Sequence, residues 1–116
     1  VVGDEMLVFH YAVAVLMKSE SKVRNGANGD EELNEVRSRV NAPPRTATLE
    51  NIRAERQLEL AWEGWRRQDL VRFGKFTRAY SSRPQLPDEA SGYTTVFPIP
   101  EKIRVMNERV KQNPGY

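Results

Sequence analysis

Cysteine is absent from this 116-residue sequence, which excludes disulfides, thiolate nucleophiles and cysteine-based metal sites and identifies no compartment. Histidine occurs once, at His10, amid apolar neighbours, where a packing role is favoured over metal ligation. Charge of one sign is scarce as well: 18 Lys and Arg stand against 16 Asp and Glu, a net +2 with the signs interspersed. A nucleic-acid footprint is lopsided, so the pI of about 9.1 does not carry one. The longest apolar run, from Met6 to Met17, falls short of the roughly 18 to 20 residues that span a bilayer and reads as a buried helix. The start at Val1 shows neither an initiator Met nor a basic signal region, so a fragment or a processed chain is expected. The sequence also lacks a Gly-x-Ser-x-Gly elbow, a phosphate loop and a dinucleotide fingerprint.

What is present is a chain with 39% hydrophobic residues, enough for one modest core and one structural unit. A first helix is expected from Asp4 to Arg24, with Asp4 and Glu5 at its positive end and Lys18, Lys22 and Arg24 toward its negative end. Asn25-Gly26-Ala27-Asn28-Gly29 stops it and turns the chain. A second helix starts near Asp30 as N-cap, with Leu33, Val36 and Val40 spaced three and four apart. The two form a helical hairpin that must bury its shared apolar face on something else.

Asn41-Ala42-Pro43-Pro44 ends that helix. Thr48 then caps a third, long helix from Leu49 to about Phe73, with a bend or close contact at Gly64. From Gly74 to Pro100 turn formers dominate, a connection longer than usual, in which Thr94-Thr95-Val96-Phe97 reads as a short strand or an extended stretch before Pro98-Ile99-Pro100. A last helical turn or two falls within Glu101 to Arg109, and Pro114-Gly115 ends the order. The fold class is therefore mainly α: a helical hairpin plus a long helix, followed by a long irregular loop. No second copy of the hairpin recurs at a period of about 34 residues.

On a continuous third helix, Glu55, Glu59 and Glu63 stack on one face at steps of four, and Arg66 lies three residues beyond. Like charges at that spacing repel, so cations must be near. Arg56 and Arg66 can reach from within the helix, and Arg37 and Arg39 from the second helix. Arginine suits the task because its planar fork pairs with a carboxylate. A structural ion-pair network of Glu55, Arg56, Glu59, Glu63 and Arg66 is the first reading, and it predicts that Glu59→Gln destabilises the fold without removing an activity. The sharper alternative is a pair of carboxylates flanking a glycosidic bond, about 5 to 9.5 Å apart. A helix face offers no cleft by itself, and nearby arginines keep both acids ionised. Catalytic residues, a metal and a cofactor are not expected, and the Glu-x-x-His pattern of bundled di-metal sites is missing.

Trp62 and Trp65 project about 60° apart and both suit the core, although aromatic rings also serve as platforms for sugar faces. Tyr80 and Tyr93, in the long loop, are better placed to meet a ligand.

Five blocks in order carry a resemblance: Leu33-Asn34-Glu35-Val36-Arg37-Ser38-Arg39; Thr48-Leu49-Glu50-Asn51-Ile52; Glu55 through Gly64 with Arg66 and Asp69-Leu70; Phe97-Pro98-Ile99-Pro100; and Gln112-Asn113-Pro114-Gly115-Tyr116. Together they resemble the SusD/RagB family over most of the chain beyond Leu33. Tyr11 to Gly26 looks like the helix that precedes these blocks, with Ser19-Glu20-Ser21 where Ala-Glu-Ala is commoner.

The resemblance implies a tetratricopeptide-like, mainly helical protein several times longer than 116 residues, of which this chain is the carboxyl-terminal portion. It implies a lipid-anchored protein on the outer face of the outer membrane of Bacteroidota. Such proteins capture glycans, or in some branches peptides, without catalysis and pass them to a SusC-like TonB-dependent transporter. The matched blocks are scaffold motifs, so no binding residue transfers by motif. The competing expectation is a small helical module that binds another protein through its helix faces.

Overall fold

A computed structural model describes residues 9–116. Where length alone suggests one unit, the chain forms two compact ones, residues 1–69 and residues 70–116.

In the first unit, helix α1 spans Tyr11–Arg24, after an extended His10; residues 4–8 of the expected first helix lie outside the described residues. Helix α1 buries one face only. Ala12, Val13, Val15, Leu16 and Ser19 are enclosed, whereas Tyr11 is exposed and Met17 is 47% exposed, so the apolar run is not buried all round. Gly26, at φ +75, bends the chain so that the Ala27 N–H donates to the Lys22 carbonyl at 2.8 Å, which satisfies an end carbonyl of the helix.

Helix α2 spans Asp30–Ser38 and its N-cap is Gly29. Asp30 is thus the first helical residue, and its carboxylate accepts from the distant Ala47 N–H instead of capping. Gly29 is needed for a second reason. A Cβ there would lie 2.7 Å from the backbone oxygen of Ser19, so only glycine lets the two helices approach this closely. The Ser19 hydroxyl, fully buried, donates to the Gly29 carbonyl at 2.8 Å, which turns a polar group in the packed helix into a cross-link of the hairpin.

Helix α2 stops before Val40, which is 65% exposed and lies outside the apolar stripe expected of it. Asn41 adopts φ +54, and Asn34 clamps the returning chain by accepting from Arg45 N–H at 2.8 Å and donating to its carbonyl at 2.9 Å. Helix α3, Leu49–Glu59, is capped as expected: the Thr48 hydroxyl accepts from Asn51 N–H at 3.1 Å. The core joins Ala12, Val15 and Leu16 of α1, Leu33 and Val36 of α2, and Ile52 of α3.

The expected long third helix is broken. α3 ends at Glu59 and α4 occupies Arg66–Arg72. Between them Trp62 and Gly64 both take left-handed backbone angles, φ +69 and φ +80, so Gly64 marks a turn rather than a bend within a helix.

In the second unit, residues 74–100 form an irregular loop. Tyr80 and Arg83 make an isolated antiparallel bridge, and two single 3-10 turns cover Glu89–Ser91 and Tyr93–Thr95. Of the strand or extended stretch expected at residues 94–97, no strand forms: the turn at Gly92, φ +83, carries the chain helically through Thr95, and only at Val96 does the backbone become extended. Helix α5 is Glu101–Met106, ending three residues before Arg109.

Order does not end at Pro114-Gly115. Pro98 and Pro100 have no N–H, so Ile99 is the donor between them. The Gln112 side chain takes it, accepting from Ile99 N–H at 2.8 Å and donating to Ile99 O at 3.0 Å. Asn113 Nδ2 donates to Phe97 O at 2.7 Å and the Tyr116 hydroxyl to Val96 O at 2.9 Å. The last five residues are a clamp on residues 96–99.

Candidate functional site

The carboxylates expected to form one ladder take separate partners. Glu55 pairs with Arg37 of α2, and each side chain is only 5% exposed. Arg37 is fixed further by donating through Nε to Pro43 O at 2.8 Å. Glu59 meets Arg39 at 3.3 Å, but Arg39 is 54% exposed. Glu63 lies beyond the end of α3 and accepts from His10 Nε2 at 2.9 Å. The break after Glu59 takes Glu63 off the face that Glu55 and Glu59 share on α3.

Arg56 turns away from these acids. Its Nε donates to Asp69 Oδ2 at 2.8 Å, and its guanidinium sits 5.6 Å from the centroid of the Trp65 ring, a cation–π arrangement. Phe9 meets the same indole edge-on at 5.4 Å. Trp65 thus packs within the first unit, whereas Trp62 is fully exposed; its left-handed backbone points it out of the core where a helical residue would have packed. No group of three or more His, Asp or Glu side chains suited to a metal occurs among the described residues.

Beside Trp62 is a recess of about 480 Å³, lined by Arg56, Leu60, Ala61, Trp62, Gly64 and Arg66 among others. Nη1 of Arg56 and Nη1 of Arg66 are buried without a hydrogen-bond partner. Arg66 therefore sits at this recess and not on the acidic face expected of it.

The two loop tyrosines are both half-buried. The Tyr80 hydroxyl donates to Lys75 O at 2.8 Å, and the Arg83 guanidinium lies 5.9 Å from its ring centroid. Tyr93 packs edge-on against Tyr116 at 5.1 Å and lines a second cavity, of about 460 Å³, with Gly92, Thr95, Val96, Pro114 and Gly115. Gly115 is in van der Waals contact with that ring, where a Cβ would lie 2.5 Å from Tyr93 Cβ.

Between the tyrosines in sequence is a residue that the sequence reading missed. Glu89 is fully buried. It accepts from Leu86 N–H at 3.0 Å, from Arg83 at 2.9 and 2.5 Å and from the Thr94 hydroxyl at 3.1 Å. The Leu86 N–H, with Thr94 and Arg83, holds its carboxyl below the usual range despite burial. Adjacent to a turn, Glu89 gives no periodic signal that separates it from a solvated loop acid.

The model of the SusD family matches residues 3–116. The starch-binding protein SusD of Bacteroides thetaiotaomicron is 32% identical over 116 residues, covering 94% of this chain and 21% of that protein. The chain therefore spans about a fifth of the length of the curated relative it matches.

Proposed function

The chain belongs to the SusD family, and from that premise we propose that it is the carboxyl-terminal portion of a surface protein that binds glycans and delivers them to a SusC-like TonB-dependent transporter. The observation that carries this reading is the family match over residues 3–116. The relative named for starch binding makes a polysaccharide the first ligand to try.

The protein is a binder without catalysis. Glu55 and Glu59 each hold an arginine and Glu63 accepts from His10, an arrangement suited to bracing a scaffold rather than to flanking a scissile bond. Tyr80 and Tyr93 are the ligand contacts we assign on this chain, since both rings sit on the long loop and Tyr93 lines a cavity. The full protein is held at the outer face of the outer membrane by a lipid anchor outside this chain. Among the described residues no helix is long and apolar enough to cross a membrane.

The test uses the full-length protein. Native gels cast with starch and with other soluble polysaccharides should retard it, Tyr93→Ala should weaken the retardation, and a tagged form should co-purify with a TonB-dependent transporter. Migration unaffected by every polysaccharide, together with no transporter in the eluate, would overturn the proposal.

A further inference from the structure

The second unit has a carboxylate where a small fold would ordinarily bury an apolar side chain. Of residues 71–116, Glu89 is the only one buried, and it is fully enclosed. A buried charge is costly unless it is both paired and hydrogen-bonded. Here both conditions are met: the Arg83 guanidinium donates to one carboxylate oxygen at 2.9 Å and to the other at 2.5 Å, the Leu86 N–H donates at 3.0 Å and the Thr94 hydroxyl at 3.1 Å.

These donors come from both limbs of the loop. Arg83 and Leu86 precede Glu89 and Thr94 follows it, so one side chain ties residues 83–94 together. The intervening chain has little else to fix it, since residues 84–88 are all exposed and Asp88 and Gly92 turn through left-handed angles, φ +58 and φ +83.

Each limb also carries one of the two loop tyrosines. Tyr80 exchanges backbone hydrogen bonds with Arg83 at 2.9 and 3.2 Å, and the same guanidinium that neutralises Glu89 lies 5.9 Å from the centroid of the Tyr80 ring. Tyr93 immediately precedes Thr94 in one 3-10 turn, so the hydroxyl that Glu89 accepts anchors the turn that carries the second ring.

We propose that Glu89 is a positioning residue for glycan binding, holding Tyr80 through Arg83 and Tyr93 through Thr94. This deepens the function proposed above and rests on its assignment of the two tyrosines as ligand contacts. Glu89 itself is enclosed and touches no glycan. Rings fixed before a ligand arrives bind it at a lower ordering cost, so the network sets affinity through the fraction of molecules with both rings in place.

Dissociation constants from affinity gels of the full-length protein, cast with soluble starch and then with the other polysaccharides of the series, test the assignment. Glu89→Gln should weaken binding at least about tenfold. Arg83→Lys keeps the charge but loses the planar fork, and Thr94→Val removes one neutral donor; each should weaken binding about fivefold, and these two decide the matter if Glu89→Gln does not fold. Their effects should sort by limb. Arg83→Lys should add nothing in a Tyr80→Ala background and act in full in Tyr93→Ala, and Thr94→Val should do the reverse. A group that merely stabilises the unit gives equal losses in both backgrounds, and that result would overturn the inference. If the tyrosine variants weaken binding while Arg83→Lys and Thr94→Val do not, the inference falls and the proposed function stands. Tyrosine variants that bind as tightly as the unaltered protein overturn the tyrosine assignment and this inference together, and an unaltered protein that no polysaccharide retards overturns the binding reading and this inference with it.

Discussion

The two acids that look equivalent in sequence, Glu55 and Glu59, should respond very differently to the same substitution. The Glu55 and Arg37 side chains are each 5% exposed, and Arg37 has already committed Nε to Pro43 O. Glu55→Gln removes the compensating charge and leaves a guanidinium enclosed beside a neutral amide. Removing one partner of a buried pair costs about 3–5 kcal/mol; a neutral hydrogen bond retained by the amide returns about 1 kcal/mol. A loss of about 2–4 kcal/mol is expected.

Glu59 faces an Arg39 that is 54% exposed at 3.3 Å, so Glu59→Gln should cost no more than about 1 kcal/mol. The destabilisation expected of Glu59 from the sequence therefore belongs to Glu55, because burial of the arginine and not the acid's place in the ladder sets the penalty. Urea denaturation monitored by circular dichroism separates the two. At a slope of about 1–3 kcal/mol per molar, Glu55→Gln should move the midpoint by roughly 1 M or more, and Glu59→Gln by a few tenths. Added salt should shrink the Glu59 effect and leave the Glu55 effect nearly intact. Equal losses for the two variants, or a Glu55→Gln loss under about 1 kcal/mol, would refute the reasoning.

Other sites give sharper local readouts. Gly29→Ala should cost about 1–3 kcal/mol by forcing apart the hairpin at the Ser19 carbonyl. Gly26→Ala, which meets nothing within 4 Å but has φ +75, should cost about 1 kcal/mol; both are measured by the same denaturation. Gln112→Ala should speed hydrogen exchange at the Ile99 amide, whose acceptor it removes, while leaving exchange in α1 unchanged. Glu32 should contribute an acid-sensitive increment. Lys18 and Lys22 contact it at 2.8 and 2.5 Å, and Lys18, then Lys22, lowers its carboxyl from 4.5 to about 2. A lowered folded value means stability present above pH about 4.5 and lost as pH falls toward 2. Because Lys18 is largely exposed, the increment is about 1 kcal/mol, and Lys18→Met with Lys22→Met should flatten the pH profile of the urea midpoint over that window.

Periodicity and capping made the hairpin and its core readable in advance, since Leu33, Val36 and Ile52 obey helical spacing and Thr48 supplies the cap. They failed at residues 60–65, for a physical reason. Leu60-Ala61-Trp62-Glu63 contains good helix formers, and a lone glycine within a helical pattern costs only about 1 kcal/mol. Local propensity therefore favours continuation, and the observed break must be stabilised by contacts that propensity does not encode. Some of these contacts are visible: Glu63 reaches His10 and Arg56 reaches Asp69 across the break, both between residues distant in sequence. The tail failed in the opposite direction. A Pro-Gly pair reads as an end of order, yet Gln112 and Asn113 supply amides matched to a proline-flanked segment, a complementarity that no periodic pattern reports. Family resemblance found both regions because it registers residue identity without asking which contact each residue makes. Glu63 and Gln112, which defeat local rules here, both make contacts with residues distant in sequence, and a sequence that departs from its own propensities should be searched for such contacts.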